Sequence, residues 1–157
     1  MFMNMVILKD LVLCSLLIGI VFGVIACIPY ISGFALFGVL FLTAPVVILL
    51  LIMSGKADLT TPKDSIVSGA LTGFSANITF SFAYSIIVAL LYITLKFTTN
   101  YFLTAMIINS PIWLLIVIIL FVGVLTATTN AFSGFLTYYI INLIRDIYEK
   151  KHYGEDK

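Results

Sequence analysis

The stretch SIVSGALTGFSANITFSFAYSIIVALLYITL, residues 65–95, decides how this chain folds. It runs for 31 residues without a charged side chain, well beyond the roughly 20 apolar residues that one membrane-spanning helix needs. Residues four apart share one face of a helix. Small or polar residues recur at that spacing: Ser65, Gly69, Gly73, Asn77, Ser81, Ser85 and Ala89. The stretch therefore predicts a transmembrane helix with one smooth face, against which another helix packs closely.

The composition of the whole chain is that of an integral membrane protein. Of its 157 residues, 62% are hydrophobic and only 10% are charged, with a mean hydropathy of +1.23. Four charge-free segments reach or approach the length of a span: 11–28, 31–53, 65–95 and 111–144. They lack the alternation of barrel strands, so only helices pair their backbone groups in hydrocarbon. We predict a single all-α membrane domain, 1–157, forming a bundle of four transmembrane helices.

Local signals set approximate bounds for these helices. We expect them at about 11–28, 31–53, 62–95 and 111–148, followed by a charged tail at 149–157. Thr61 and Pro62 suit the N-cap and the first position of the third helix. Segment 97–110 is too apolar for an ordinary loop and too short for a span, which predicts an interfacial or re-entrant segment. Pro45 removes a backbone hydrogen bond from the second helix and predicts a kink there.

Basic residues are distributed unevenly between the two sides of a four-span topology. The side with both termini and the 54–64 loop receives Lys9, Lys56, Lys63, Arg145, Lys150, Lys151 and Lys157, whereas the other receives only Lys96. Basic loops stay in the cytoplasm. We therefore expect both termini to be cytoplasmic in a cell membrane, and the chain resembles small four-span proteins of bacterial inner membranes in topology only.

Internal repetition is weak. The pairs Gly19/Gly23 and Gly69/Gly73 both form GxxxG, and the sequence YSII at 84–87 resembles YYII at 138–141. Duplication of a two-helix hairpin would produce this similarity, and so would shared apolar composition. The glycine pairs themselves predict close helix packing, either within one chain or between copies.

The sequence contains no recognisable metal, nucleophile or phosphate motif. The single histidine, His152, lies in the charged tail without a neighbouring set of ligands. No ionisable residue lies within the charge-free spans, which argues against proton-coupled or cation-coupled transport. We expect no enzymatic activity and no cofactor.

The candidate contact residues are small or polar residues inside the predicted spans. Asn77 and Asn130 lie at similar distances from the outer ends of the third and fourth helices, which predicts a cross-helix contact between their amides. The full set, interpreted as helix-packing residues or solute contacts, is Gly19, Gly23, Gly69, Gly73, Asn77, Ser81, Thr126 and Asn130.

Two functional hypotheses follow. The leading one is a structural or accessory membrane protein that packs through its small-residue faces. Its partners would be the lipid bilayer and a second copy or another membrane subunit, not nucleic acid. The alternative is an oligomeric channel or permease for a small neutral or amphipathic solute, using Asn77, Thr126, Asn130 and the Pro45 kink. A cavity meeting these side chains would favour the alternative, and a dry interior would favour the first.

Overall fold

The regular structure of the described residues is entirely helical. The computed structural model describes residues 5–55 and 61–153, and no strand occurs in them. The elements are α1 (Met5–Ile25), α2 (Ser32–Phe37), a π-helical turn (Gly38–Leu42), α3 (Thr43–Met53), α4 (Pro62–Leu95), α5 (Tyr101–Asn109) and α6 (Ile112–Tyr153). The segments long and apolar enough to cross a membrane are Ile7–Ile25, Ser32–Met53, Pro62–Leu95 and Ile112–Lys151. The all-helical, four-span prediction is confirmed, and these helices indicate a membrane-embedded protein.

The charged residues that the structure describes lie at the two ends of the helices. We call the end where α3 connects to α4 the loop end, and it holds Lys9, Asp10, Lys63, Asp64 and the charges of 145–151. The opposite end, called the α5 end, holds Lys96. Lys56, the side chain of His152, and Lys157 lie outside the described residues.

Helix α4 lies at the centre of the bundle, with α1 on one side and α6 on the other. Gly19 and Gly23 of α1 contact Ala76 and Phe80 of α4, so α1 and α4 run parallel. Gly69 and Gly73 contact Asn130 and Thr126 of α6, so α4 and α6 run antiparallel. The charge-free stretch 65–95 therefore packs against two neighbouring helices at once.

Both GxxxG pairs are occupied by contacts within the chain. A Cβ atom added to Gly69 or Gly73 would overlap the carbonyl oxygen of Asn130 or Thr126, respectively, and one added to Gly23 would lie 2.9 Å from the Phe80 oxygen. Apolar burial contributes little to helix association in lipid, so close backbone approach of this kind supplies dispersion contacts instead. Weak duplication of a two-helix hairpin remains a prediction.

The second span, which the sequence predicts as one helix with a kink at Pro45, is interrupted in the structure. It consists of α2, the π-helical turn and α3. Pro45 has no N–H, and its ring is incompatible with the carbonyl four residues earlier in an α-helix. The π-helical turn precedes Pro45 and accommodates the missing N–H and the clash of the proline ring, as π-helical turns commonly do where a helix is distorted.

The segment at 97–110 forms a short helix instead of an irregular connection. Asn100 caps α5, because its Oδ1 accepts a hydrogen bond from the Leu103 N–H at 3.2 Å. Tyr101 and Phe102 are exposed, whereas Thr104 is buried. Helix α5 thus turns one face to the bundle and presents aromatic side chains on the other.

At the start of α4, the Asp64 N–H donates to the Thr61 hydroxyl at 3.2 Å, so the predicted cap forms.

Replacing Gly73 by alanine should destabilise the bundle. The new methyl group would collide with the Thr126 carbonyl and lie 2.6 Å from the Asn130 Cβ, and overpacking of this kind costs about 1–3 kcal/mol. Gly33→Ala is the matched control, because a Cβ there meets nothing within 4 Å. Reversible unfolding in mixed micelles should show a loss of stability for Gly73→Ala only. Equal effects of the two substitutions would contradict the close packing at Gly73.

Candidate functional site: a polar clamp beside an apolar cavity

The break in the second span leaves main-chain groups without their usual partners. In an uninterrupted α-helix the Ala44 N–H would donate to the Leu40 carbonyl. In the structure each of these groups instead bonds to the side chain of Asn130, more than 80 residues away along the chain. Unpaired groups at this depth could not turn to water, so a partner from another helix is needed.

Asn130 makes four hydrogen bonds with its side chain. Its Oδ1 accepts from the Ala44 N–H at 2.8 Å. Its Nδ2 donates to the carbonyls of Val39 and Leu40, both at 2.9 Å, and of Thr126 at 3.0 Å. The two N–H groups are thus shared among three acceptors. The side chain is fully buried, with 0% of its surface exposed, so the contacts of this amide are with protein groups.

Threonine hydroxyls complete the bonding around the π-helical turn. Thr129 donates to the Leu40 carbonyl at 2.7 Å, and Thr43 donates to the Val39 carbonyl at 3.1 Å. We call Asn130, Thr129 and Thr43, together with the main-chain groups that they bind, the polar clamp. It joins α6 to the second span at the point where that span departs from α-helical geometry.

Asn77 does not bond to Asn130, and the contact predicted between their amides is therefore wrong. Its Nδ2 donates to the Ile119 carbonyl at 3.1 Å, while Asn130 is engaged by the clamp. The physical reason is competition: the unpaired main-chain groups beside Pro45 satisfy both ends of the Asn130 amide. The Oδ1 of Asn77 has no hydrogen-bond partner among the described residues, although only 2% of the residue is exposed.

A cavity of about 190 Å³ lies next to the clamp, in the half of the bundle towards the α5 end. Its walls come from α2, the π-helical turn, α4, α5 and α6, and it is partly open. Most of the lining side chains are apolar. The polar ones are Ser32, Asn77, Ser81, Tyr84, Ser85, Asn100 and Thr126.

The cavity and the clamp share residues. Val39, Leu40 and Thr126 line the cavity and also provide carbonyls to the Asn130 amide. The floor of the cavity is therefore the hydrogen-bonded π-helical turn, and any displacement of that turn changes the shape of the cavity. This coupling connects the Pro45 distortion to a space that a small molecule can occupy.

The predicted site residues separate into two groups in the structure. Asn77, Ser81 and Thr126 line the cavity, and Asn130 lies beneath it in the clamp. The other predicted residues are Gly19, Gly23, Gly69 and Gly73, which pack between helices away from the cavity. Pro45 lies just past the π-helical turn.

Several cavity and clamp residues were missed by sequence reasoning. Thr129 was not among the predicted contact residues, and the main-chain groups of Val39, Leu40 and Ala44 have no residue-type signature. Pro45 was the signal that could have identified them, because a proline in a span frees the carbonyl groups before it. Tyr84, whose hydroxyl lies 3.4 Å from the Thr99 hydroxyl, and Asn100 gave no such signal.

The described residues offer no site for a metal ion, since no group of three His, Cys, Asp or Glu side chains comes together in 5–55 and 61–153. The chemistry of the site is therefore that of neutral hydrogen-bonding groups in an apolar surrounding. Such a site can orient a neutral ligand, and the described residues that line the cavity include no Asp, Glu, Lys, Arg or His side chain.

Asn130→Leu should destabilise the protein, because leucine has a similar volume but leaves the Ala44 N–H without a partner and leaves the Val39 and Leu40 carbonyls with only their threonine hydroxyl donors. Each buried group without a partner costs about 1–3 kcal/mol. Asn77→Leu removes a single hydrogen bond and should cost less, about 0.6 kcal/mol on average for such contacts in lipid. Unfolding in mixed micelles measures both values. A smaller loss for Asn130→Leu than for Asn77→Leu would contradict the clamp.

The same measurement in a Pro45→Ala background tests the origin of the clamp. Alanine restores an N–H and lets the second span pair more of its own main chain, so Asn130→Leu should cost less there than in the natural sequence. Additive effects of the two substitutions would show that Asn130 and the proline break are independent.

The clamp and the cavity are built from the second, third and fourth apolar spans and one short helix. No family model matches the chain, and no curated protein or solved structure is significantly similar to it.

Proposed function

We propose that this small multi-pass membrane protein binds a small neutral, amphipathic molecule in the cavity at the α5 end, as a permease does at its solute site. The observation that supports this function is the cavity of about 190 Å³ that meets Asn77, Ser81 and Thr126. The solute hypothesis named Asn77 and Thr126 from the sequence, and Ser81 belongs to the wider set of candidate contact residues, so the cavity favours that hypothesis over a wholly packed interior.

The lining of the cavity supports a ligand with one polar end. Leu36, Leu103, Met106 and Ile118 are among its apolar walls, whereas the Asn77 Oδ1 presents an acceptor without a protein partner. A ligand hydroxyl or amine donating to that oxygen would satisfy a nearly buried polar atom, and satisfying such an atom contributes to discrimination against purely apolar ligands.

The volume supports a ligand of modest size. An apolar cavity of about 150 Å³ holds benzene, so a slightly larger space suits a ring or short chain with one or two further heavy atoms. The described cavity lining contains no Asp, Glu, Lys, Arg or His side chain, which favours a neutral ligand, since a charged one would be desolvated without a counter-charge.

An accessory role is the second candidate, and one observation favours it. Helix α6 continues well past the start of α4 and is exposed on all sides from Leu143 to Lys151, which is suited to contact with another subunit. In this role the clamp serves only to hold the bundle together. A homo-oligomer or another membrane subunit then remains the expected partner.

We infer from the distribution of basic residues that the loop end faces the cytoplasm of a bacterial inner membrane. Lys9, Lys63, Arg145, Lys150 and Lys151 lie at this end, against Lys96 at the other, and positive-inside bias orients the chain accordingly. This orientation places the cavity in the outer half of the membrane.

Benzyl alcohol and ethylbenzene are a matched pair of probes. They have the same number of heavy atoms, but only benzyl alcohol carries a hydroxyl group. Benzyl alcohol should saturate the purified protein and raise its unfolding temperature, because its hydroxyl can donate to Asn77. Ligand-observed NMR on the protein in micelles measures the binding. Asn77→Leu should remove the preference for benzyl alcohol over ethylbenzene while ethylbenzene continues to bind.

Ser81→Leu is the control for uptake of the probes by the micelle, because the larger side chain fills part of the cavity. Binding of both probes should fall in this variant, with the fold unchanged by circular dichroism. Equal signals from the natural protein and from Ser81→Leu would show that the probes do not occupy the cavity and would argue for the accessory role.

Reporter fusions test the orientation. A fluorescent protein at the C-terminus should mature and fluoresce, because we expect that end in the cytoplasm, while alkaline phosphatase at the same place should be inactive. Phosphatase fused after Lys96 should be active. The reverse pattern would place the loop end outside.

A further inference from the structure

The last turns of α6 extend beyond the rest of the bundle. Gly134 packs against Ser65, since a Cβ added to this glycine would lie 2.6 Å from the Ser65 carbonyl oxygen. Lys63 and Asp64 precede Ser65 by one or two residues and mark the level at which α4 leaves the hydrocarbon. Helix α6 continues from Gly134 to Tyr153, and these 19 further residues at about 1.5 Å each extend roughly 28 Å.

This extension carries an apolar stripe that none of the described residues covers. Leu136, Ile140, Leu143 and Ile147 follow one another at spacings of four, three and four residues. Their exposed fractions are 43%, 55%, 60% and 58%. At about 100° per residue the stripe begins on the side of α6 opposite Gly134, and hence on the side turned away from α4. Beyond the hydrocarbon, such a surface is costly in water.

The spacing is that of a heptad repeat, and the residue types at its a and d positions indicate the number and direction of the strands. Isoleucine occupies the a positions, Ile140 and Ile147, and leucine occupies the d positions, Leu136 and Leu143. This arrangement favours a parallel coiled coil of two strands. Two copies in one bilayer have the same orientation, so their α6 helices are already parallel. The stripe ends at Lys150, the next d position.

The flanking positions are complementary between two such helices. In a parallel pair, the residue at g lies near the residue five positions later, at e, on the other strand. Asp146 at g would therefore lie near Lys151 of the second copy, and Tyr139 at g near Ile144 at e. One contact pairs opposite charges and the other pairs apolar side chains, and both occur twice by symmetry.

We propose that the occupant of this stripe is a second copy of the chain, and that two α6 extensions form a short parallel coiled coil at the loop end. The charge pattern and the heptad register support this occupant. A lipid surface fits less well, because α6 is unbroken to Tyr153 and continues the direction of its span, and because Asp146 and Glu149 offset the nearby basic residues. The proposal does not depend on a ligand in the cavity.

Cysteine cross-linking in native membranes tests the register. In a full-length background carrying Cys14→Ser and Cys27→Ser, Ile140→Cys, Leu143→Cys and Ile147→Cys should each give a disulfide-linked dimer on mild oxidation. Glu149→Cys is the matched control, because Glu149 is equally exposed but lies at c, away from the partner helix. It should give several-fold less dimer.

Charge reversal provides a second readout at residues outside the apolar stripe. In the Ile147→Cys background, Asp146→Lys and Lys151→Asp should each lower the cross-linked fraction roughly two- to five-fold, since each places like charges together. The double variant should recover most of the loss. Because these side chains are exposed, the single variants should accumulate normally.

Four results would overturn the proposal. Equal cross-linking at Glu149 and at the core positions would indicate random collision. A lack of dimer at all three core positions would exclude the pairing. A heavier product joined to a different protein, or a failure of the double charge reversal to recover any loss, would exclude a second copy in this register.

Discussion

The side-chain amide of Asn130 is the interaction on which the rest of the architecture depends. It supplies an acceptor to the Ala44 N–H and donors to the carbonyls of Val39 and Leu40, all of them main-chain groups at the break in the second span. In a low-dielectric interior such bonds are strong, and their absence would be costly. The amide therefore fixes the position of the π-helical turn, the approach of α6 to that turn, and the floor of the cavity.

The central helix α4 changes its role along its length. In its first half Gly69 and Gly73 admit the backbone of α6 into direct contact. From Asn77 onwards the same small-residue face, now Ser81 and Ser85, lines the cavity. One periodic feature thus gives a packed seam at the loop end and an open space at the α5 end. The interior is therefore closely packed around Asn130, which is fully buried, and open to a cavity at Asn77.

Much of the fold could be predicted from the sequence, because the cost of unpaired backbone and charge in hydrocarbon leaves few options. The charge-free runs specified four helices, and Thr61 with Pro62 marked the start of α4. The candidate site was harder to predict. Asn130 was identified as a polar residue needing a partner, but its partners are main-chain atoms whose availability depends on the break before Pro45. The cavity depends on how far apart helices stand, which residue spacing does not encode.

The clamp also bears on how the protein is made. The groups that it satisfies belong to the second span, whereas Asn130 lies 86 residues later than Ala44. At a synthesis rate of about 5–20 residues per second, the second span waits roughly 4–17 seconds after emerging from the ribosome before its permanent partner exists. During that interval its free carbonyls and N–H need a temporary host, such as water or the insertion machinery. Helix α6, which is synthesised after the second span, therefore completes the hydrogen bonding of that span, and the second span cannot reach its final structure when it first enters the membrane.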